Sequence, residues 1–302
     1  MIETLATIKT GELYALGAAL GWAVAVVFYK KLGEKIPAFE LNLFKNSVGL
    51  LLFTCTIAGM SSLSHTALTW NEIALLSFSG ILGITFADTL IFYSLNHLGA
   101  GASAIINCLY SPFAILFAVL MLNEKLSPTH LIGTLLIVCA VLLVGLKKDA
   151  SETVKINRVK GILAGVVAMA SMTFAMVLIK PLLEKSSLLW VIEIRLGAAV
   201  AAAVLYTLIT GKGRATIQRY TQADVSRFAL LAGSILGAYI SMALFVASYQ
   251  TGRASVVAVI HQTATIWIVL LATYFLGETL TRNKLIATIL GISGAILITI
   301  YG

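Results

Sequence analysis

Residues 92–143 read FYSLNHLGAGASAIINCLYSPFAILFAVLMLNEKLSPTHLIGTLLIVCAVLL, and residues 245–298 repeat the pattern in outline as FVASYQTGRASVVAVIHQTATIWIVLLATYFLGETLTRNKLIATILGISGAILI. The clearest shared segment is LNEKLSPTHLIGTLL against LGETLTRNKLIATIL, which aligns Glu124 with Glu278. Further upstream, Ala102-Ser103 aligns with Ala254-Ser255. Many carriers build a binding site between two related apolar halves, so this internal repeat predicts a transport function.

The composition is that of a membrane protein. The 302 residues are 59% hydrophobic and only 11% charged, and the mean hydropathy is +0.98. Soluble domains carry roughly 25% charged residues, and about 20 apolar residues are needed to cross a bilayer. The predicted segments, named span 1 to span 10 in chain order, are 12–31, 38–59, 72–94, 100–122, 129–147, 161–182, 187–209, 225–249, 254–276 and 284–301.

The predicted fold class is an all-α integral membrane protein with ten transmembrane helices in two inverted five-helix repeats. Helices follow from the length of the apolar runs and from the lack of alternating polarity. The first repeat is residues 1–148, a polar cytoplasmic linker is 149–160, and the second repeat is 161–302. An odd number of spans makes the second copy enter from the opposite side, which relates the halves by a pseudo-two-fold axis in the membrane plane.

The net charge of +8 is distributed by loop. Fourteen of the 21 Lys and Arg fall in alternate loops, and only five fall in the loops of the other face. This asymmetry is the positive-inside signal, so we expect the basic loops in the cytoplasm and both termini outside. Contact with anionic membrane lipid accounts for the basic loops, and no nucleic-acid partner is expected. The expected location is the cell membrane, as a multi-pass protein of the bacterial inner membrane.

No cofactor or metal site is predicted, and the chain is not expected to be an enzyme. Cys55, Cys108 and Cys139 lie within apolar spans, and no CxxC or Cys/His pattern occurs. No GxxxxGK[ST] sequence is present, so this chain is not expected to use ATP directly. The HExxH and GxSxG motifs of hydrolases are likewise missing from the sequence.

Glycine and proline predict how the helices pack. Small residues at helical spacing let helices approach closely in lipid. Pro112 lies in the middle of span 4 and should kink it, since proline lacks an amide hydrogen. The second copy has Ile266 near that place, so the kink is expected in span 4 only. The glycine pairs are Gly17 with Gly21, Gly80 with Gly83, Gly161 with Gly165, Gly233 with Gly237 and Gly291 with Gly294.

The two repeat copies share a set of short motifs. They are residues 93–95, 99–103, Ser111-Pro112, 123–126 and Gly133 in the first copy, and 252–255, 277–280 and Gly291 in the second. This pattern resembles the EamA family of the drug/metabolite transporter superfamily. The resemblance covers almost the whole chain and implies a basket of ten helices, with a central cavity lined mainly by spans 1, 3, 4, 6, 8 and 9 and with spans 5 and 10 at the periphery. Members of that family move small metabolites, including amino acids, often outward.

Four ionisable side chains are predicted at membrane depth: Lys45, Asp88, Glu193 and Arg195. Such groups are functional candidates because an unpaired charge in lipid is costly. Lys45 and Arg195 occupy comparable positions, one in each repeat, and family analogy favours a structural role for both. Glu193 and Arg195 are about 200° apart around a helix, so each needs a partner elsewhere.

Asp88 has two interpretations. It forms a buried ion pair, with Lys45 as the candidate partner, or it binds a substrate ammonium or a coupling proton. Its position supports the second interpretation, because Tyr93 and Asn96 follow it along one polar segment of span 3.

Further polar residues cluster in spans 4 and 9. The repeat aligns Asn107 with His261, and polar residues at related mid-span positions are typical of a midplane binding site. Single members of the cluster are equally explained as hydrogen-bonding or packing residues, and aromatic residues in spans are often packing residues or interfacial anchors. The predicted substrate-binding residues are Asp88, Tyr93, Asn96, Asn107, Tyr110, Ser111, His261 and Gln262, with Trp22 and Tyr239 as weaker candidates.

The sequence therefore predicts a secondary active transporter, an exporter of a small polar metabolite such as an amino acid or related amine. It would work by alternating access at a central midplane cavity, with the proton as candidate coupling ion and with a monomer or weak dimer as the functional unit. The alternatives are a membrane-embedded enzyme acting on lipid or peptide, a channel or binding protein, and a transporter for nucleosides, organic anions or drugs.

Overall fold

The computed structural model describes residues 10–60, 68–122, 127–145, 152–183, 185–251 and 260–301. Within these ranges the chain is helical apart from short connections, and no strand occurs there. Seven helices of this described part are long and apolar enough to cross a membrane, and Pro128–Leu143 and Ile260–Leu276 are shorter apolar helices. The protein is therefore a multi-pass membrane protein. Glu124, Ala254 and Ser255 of the repeat lie outside the described residues.

The helices follow the predicted spans closely, and spans 1, 3, 6 and 10 begin before their predicted first residues. Span 6 begins at Glu152, so the second part of the predicted polar linker is helical. A short amphipathic helix, Gly213–Tyr220, lies between spans 7 and 8. The bounds for spans 1 to 10 are Thr10–Leu32, Ala38–Gly59, Trp70–Leu98, Ala100–Asn107 with Tyr110–Leu122, Pro128–Gly145, Glu152–Leu178, Leu188–Ile209, Arg227–Ser234 continuing to Thr251, Ala264–Leu276 and Arg282–Tyr301.

Spans 3 and 8 each contain a π-helical segment at the same place in the repeat. These segments are Ile81–Ala87 and Ile235–Ile240. In a π-helix the hydrogen bonds run from residue i to i+5, and such segments are rare and frequent at functional sites. Each contains the second glycine of a pair that the sequence assigned to packing, Gly83 of the pair with Gly80 and Gly237 of the pair with Gly233. The first copy ends directly before Asp88, and the second ends directly before Ser241.

Spans 5 and 10 pack against each other through facing glycines. A Cβ atom added to Gly133 would lie 2.7 Å from the Gly294 carbonyl oxygen, and one added to Gly294 would lie 2.6 Å from the Gly133 carbonyl oxygen. Such distances leave no room for a side chain at either position. The two backbones are therefore in van der Waals contact, which is how helices in lipid gain packing energy.

Span 1 packs against span 8 by the same principle. The Tyr29 hydroxyl donates a hydrogen bond to the Gly233 carbonyl oxygen at 2.7 Å, and a Cβ atom on Gly237 would lie 2.3 Å from that hydroxyl. Five of the ten buried residues of span 1 are alanines, and the helix packs against span 9 as well as span 8.

Spans 4 and 9 are both interrupted near mid-span, and the expectation of a kink in span 4 only is wrong. In span 4 the break falls at Cys108 and Leu109, just before Pro112. In span 9 it falls at Thr263, whose hydroxyl donates to the Ile260 carbonyl oxygen at 2.5 Å. A threonine side chain that competes for a backbone carbonyl bends a helix without proline.

Three of the basic loops meet at one end of the bundle, together with loop 3–4. Lys30 donates to the Asn96 carbonyl oxygen at 3.1 Å, which joins loop 1–2 to the end of span 3. Lys35 lies 3.3 Å from the Asp224 carboxylate, which joins the same loop to loop 7–8. Glu278, in loop 9–10, contacts the start of span 4. Loops 1–2, 3–4, 7–8 and 9–10 therefore share one end.

The same end holds a partly buried network around Glu40. Arg219 forms an ion pair with the Glu40 carboxylate, and the Tyr220 hydroxyl donates to the Glu40 backbone oxygen at 2.7 Å. Burial, and secondarily the charge of Glu40, raises the pKa of the Tyr220 hydroxyl. Tyr220 therefore stays a protonated donor, and the short helix Gly213–Tyr220 is fixed against span 2.

Candidate functional site

The centre of the bundle contains a buried ion pair between spans 2 and 3. The Lys45 ammonium lies 2.5 Å from the Asp88 carboxylate, and the two side chains are only 4% and 12% exposed. Asp88 is the first residue after the π-helical segment of span 3. The structure thus contains the ion pair with Lys45 that was one of the two interpretations of Asp88. Two opposite charges that compensate each other can be accommodated at this depth, whereas either charge alone would be costly.

Aromatic rings surround the other side of the ammonium group. The Lys45 nitrogen lies 5.3 Å from the centre of the Phe92 ring and 6.0 Å from the centre of the Trp22 ring. Tyr29 packs against both rings, at centroid distances of 4.9 Å and 6.2 Å. Ring faces attract cations at distances up to about 6 Å. Lys45 therefore has two neighbouring environments, the Asp88 carboxylate and the aromatic faces.

Asparagines on span 2 hold the π-helical segment of span 3 in position. The Asn42 amide donates to the carbonyl oxygens of Ile84 and Thr85, at 2.8 Å and 3.2 Å. Asn46 donates to the Asn42 side-chain oxygen at 2.8 Å, which orients that amide. A π-helical segment leaves backbone carbonyls without helical partners, and buried carbonyls need another donor. Asn42 is that donor, one helical turn from Lys45.

A small cavity lies beside the aromatic rings. Its free volume is about 10 Å³, roughly the space of one water molecule. Trp22 and Asn107, both predicted from the sequence, line it, and the other lining residues include Phe92, Ser103 and Ile268. The space is too small for a metabolite, so the helices are closed around this point in the structure.

Arg195, on span 7, lies near the ion pair without a carboxylate of its own. One guanidinium nitrogen donates to the Met176 sulfur at 3.0 Å, and the Nε atom has no hydrogen-bond partner. Across the described ranges, no carboxylate lies within salt-bridge distance of this group. Asp88 and Tyr110 are close enough to interact with it electrostatically. A thioether is a weak acceptor, so the charge of Arg195 is poorly compensated.

Glu193 points away from Arg195 towards span 2. The Thr54 hydroxyl donates to one of its carboxylate oxygens at 2.5 Å, and the second oxygen has no partner. Glu193 is thus separate from the group formed by Lys45, Asp88 and Arg195, as the angle between neighbouring helix positions led us to expect.

The predicted residues of spans 4 and 9 contact one another. The Gln262 amide donates to the Ser111 hydroxyl at 3.3 Å. His261 packs edge-on against Phe245, with 4.6 Å between ring centres. The first contact joins the two interrupted helices near their breaks, and the second joins span 9 to span 8. Tyr110 faces Arg195 from span 4.

Three predicted residues lie apart from the ion pair. Tyr93 stacks on His97 at 3.9 Å. Asn96 packs against the Gly33 turn at the basic end, where a Cβ atom on Gly33 would lie 2.0 Å from its side-chain oxygen. The Tyr239 hydroxyl shares a hydrogen bond with Thr56 at 2.6 Å. The polar segment expected from Asp88 to Asn96 is therefore divided among different neighbours.

Asn42, Asn46 and Phe92 contribute to the site but were not among the residues predicted from the sequence. The spacing of Asn42, Lys45 and Asn46 was a usable signal, because residues three and four apart share one helix face. Three polar residues on one face of an apolar span predict a buried polar contact. In the part of the chain that the structure describes, no three His, Cys, Asp or Glu side chains lie close enough together to hold a metal ion.

Comparison with known proteins gives the family. The sequence model of the EamA-like transporter family matches residues 9–146 and again residues 159–300. One solved structure, titled only as a crystal structure of a protein, shares the fold with a TM-score of 0.64 and 18% identity, covering 96% of this chain and 97% of that chain.

Curated relatives match over shorter stretches. The uncharacterized transporters YoaV and YvbV of Bacillus subtilis are each 30% identical, over 43% and 49% of this chain and over 45% and 48% of their own lengths. The pseudopaline exporter CntI of Pseudomonas aeruginosa is 26% identical over 53% of this chain and 55% of its own length. The chain thus spans about half the length of the curated relatives it matches. With the family model matched along both halves of a multi-pass helical bundle, this chain belongs to the EamA-like transporter family.

Proposed function

We propose that this protein is a secondary active exporter of a small polar metabolite, such as an amino acid or related amine. Its ten spans form two inverted five-helix repeats, residues 1–148 and 161–302, joined by the linker 149–160. The double match of the family model and the paired π-helical segments of spans 3 and 8 support this arrangement. The meeting of the basic loops at one end supports a cytoplasmic location for that end and an outside location for both termini, in a bacterial inner membrane.

The observation that carries the proposal is the Lys45–Asp88 pair beside the closed cavity. A buried ion pair adds little net stability compared with apolar packing of the same volume. Its retention at the centre of a membrane bundle is explained if the carboxylate serves a second cation during transport. A substrate amine is such a cation.

The neighbouring rings provide a route for that exchange. When a substrate ammonium approaches Asp88, Lys45 moves from the carboxylate onto the faces of Phe92 and Trp22, which already lie 5.3 Å and 6.0 Å from its nitrogen. No charge is left without a partner at any stage. In the empty carrier the pair re-forms, and this allows the helices to close as the structure has them.

Asp88 is also the candidate proton site. A proton bound to Asp88 would neutralise its carboxylate when Lys45 moves away, so that no unpaired charge stays buried. Proton binding and substrate binding would then compete for one group, which couples the two movements. Export is the proposed direction, since one relative is named as an exporter.

Countertransport in proteoliposomes tests the proposal. Vesicles with purified protein, preloaded with a mixture of the twenty standard amino acids, should take up at least one radiolabelled amino acid faster than empty vesicles, and uptake should saturate. Asp88→Asn should abolish the stimulation, whereas Glu72→Gln, an exposed carboxylate at the start of span 3, should retain it. Preloading with nucleosides, organic anions or drugs covers the other substrate classes.

Two results would replace the proposal. Uptake that rises linearly with concentration and needs no preloading would indicate a channel. Conversion of lipid or peptide by the purified protein would indicate an enzyme. Stimulation by nucleosides alone would keep the carrier and change its substrate class.

A further inference from the structure

We propose that Arg195 binds a carboxylate group of the transported molecule, so that the substrate must carry an acid as well as an amine. This inference rests on the proposed transport function and makes its substrate class more specific. It follows from the balance of charges around Asp88 and Arg195.

The two repeats differ at the position of the buried acid. Asp88 and Ser241 each directly follow a π-helical segment, and each stands four residues before the phenylalanine that opens its repeat copy, Phe92 or Phe245. Lys45, on span 2, has Asp88 as its partner. Arg195 is the corresponding cation on span 7, and at the corresponding acid position the chain has Ser241. The second repeat therefore keeps the cation and lacks the acid.

Ser241 does not compensate for this difference. Its hydroxyl is buried without a hydrogen-bond partner, and it packs against span 1, where a Cβ atom on Gly21 would lie 2.6 Å from its oxygen. Arg195 is only 9% exposed, and its one hydrogen bond is to the Met176 sulfur. Buried N–H groups normally donate to an acceptor, and the Nε–H of Arg195 has none in the structure.

Arg195 packs directly against span 3, the span that carries Asp88. Gly83 faces it, and a Cβ atom at that position would lie 3.3 Å from the Nη2 atom. Gly80 lies against the Arg195 backbone in the same way, so spans 3 and 7 touch here. Asp88, on the same span 3, interacts with Arg195 electrostatically. A small molecule could therefore reach both groups when the helices separate.

A carboxylate fits this environment better than a phosphate. Guanidinium groups bind carboxylates through two parallel N–H···O bonds, and one carboxylate balances one guanidinium charge. A phosphate carries nearly two charges and three acceptor oxygens, and so needs additional donors. With the amine at Asp88 and the acid at Arg195, the bound molecule is a zwitterion and the net charge of the site is unchanged.

The test compares probes that differ only at the carboxyl group. Each of the twenty standard L-amino acids and its carboxamide are added to the purified full-length protein, and the thermal midpoint is recorded. We expect at least one free acid to stabilise the protein and its amide to be ten- to hundredfold weaker, roughly the value of hydrogen bonds to a charged group. Arg195→Gln should remove this preference, and Arg195→Lys should retain part of it.

Controls separate binding from folding. Met176→Leu removes the sulfur acceptor at similar volume and should keep the preference for acids over amides. Arg195→Met removes a poorly compensated charge, so its ligand-free thermal midpoint should equal or exceed that of the unmodified protein. A strong decrease in that midpoint would show that Arg195 is a structural residue and would overturn the proposal.

The remaining outcomes are also decisive. Equal stabilisation by acids and amides, an acid preference that survives in Arg195→Gln, or no stabilisation by any acid would each refute the assignment of Arg195. If amides or simple amines exchange across proteoliposomes as fast as acids do, the carrier proposal stands and only the carboxylate site fails. If nothing exchanges, the transport proposal itself fails.

Discussion

The carboxylate of Glu278 caps the amino-terminal end of span 4 by accepting a hydrogen bond from the backbone N–H of Ala100 at 2.5 Å. Its second oxygen accepts a hydrogen bond from the Gly101 N–H at 3.2 Å and lies 2.7 Å from the Lys284 ammonium, with which it forms an ion pair. Glu278 therefore links the start of span 4, in the first repeat, to the start of span 10, in the second.

Replacement of Glu278 by alanine should lower stability. The change leaves two N–H groups at a helix end without an anionic acceptor, and a lost cap costs about 1–2 kcal/mol. The stability of Glu278→Gln should lie between those of the unmodified protein and Glu278→Ala, because an amide oxygen can still accept one of the two hydrogen bonds. Thermal unfolding in detergent measures the effect. As a control, Glu72→Ala removes an exposed cap at the start of span 3; a shift there as large as for Glu278 would contradict the special role of this contact.

The central ion pair predicts a non-additive mutant cycle. Lys45→Met leaves Asp88 buried without its partner, and Asp88→Asn does the same to Lys45, each at a cost of roughly 3–5 kcal/mol. The Lys45→Met/Asp88→Asn double variant should recover most of that stability but no transport. Additive losses in the thermal midpoint would show that the pair does not act as a unit.

Asn42 should be needed for the π-helical segment of span 3. Asn42→Leu removes the side-chain donor to the Ile84 and Thr85 carbonyl oxygens. The Thr85 oxygen keeps its bond from the Thr89 hydroxyl, so the loss falls on Ile84 and costs about 1–3 kcal/mol. The matched control is Ser47→Ala on the same helix, whose hydroxyl bonds only to its own Leu43 carbonyl oxygen. Hydrogen exchange of span 3 should rise in Asn42→Leu alone. Equal exchange in both variants would argue against the support role.

The glycine contact of spans 5 and 10 should affect stability without affecting substrate affinity. Gly133→Val places side-chain atoms against the Gly294 backbone, so the two helices must separate and the thermal midpoint must fall. Gly197→Ala is the control, because the nearest atom to its added Cβ is 4.0 Å away and alanine favours helix by about 1 kcal/mol. A changed substrate affinity in Gly133→Val would show that these spans take part in binding.

Much of the fold follows from one-dimensional properties of the chain. Apolar run length locates the spans, because lipid leaves a helix few alternatives. The charges at membrane depth identified Lys45 and Asp88 as a possible pair, since each needs compensation. These conclusions need no knowledge of neighbouring helices.

The rest depends on contacts between spans. Nothing local in Ile81–Ala87 indicates a π-helical segment, because Asn42 on another helix satisfies its carbonyl oxygens. The break at Thr263 was missed because a threonine hydroxyl can bond to solvent, to a neighbour or to its own helix. Asn96 was grouped with Asp88 by sequence distance, yet its side chain packs at the Gly33 turn.

The first repeat has Asp88 where the second has Ser241, and this difference means that the two halves cannot replace each other. A dimer of two first halves would hold two neutralised pairs and no Arg195, and a dimer of two second halves would hold two Arg195 side chains and neither Asp88 nor Lys45. If Arg195 binds the carboxylate of the cargo as proposed, neither symmetric assembly would place that site beside Asp88. Fusion of the halves into one polypeptide would then let one copy bind the amine and the other copy the acid.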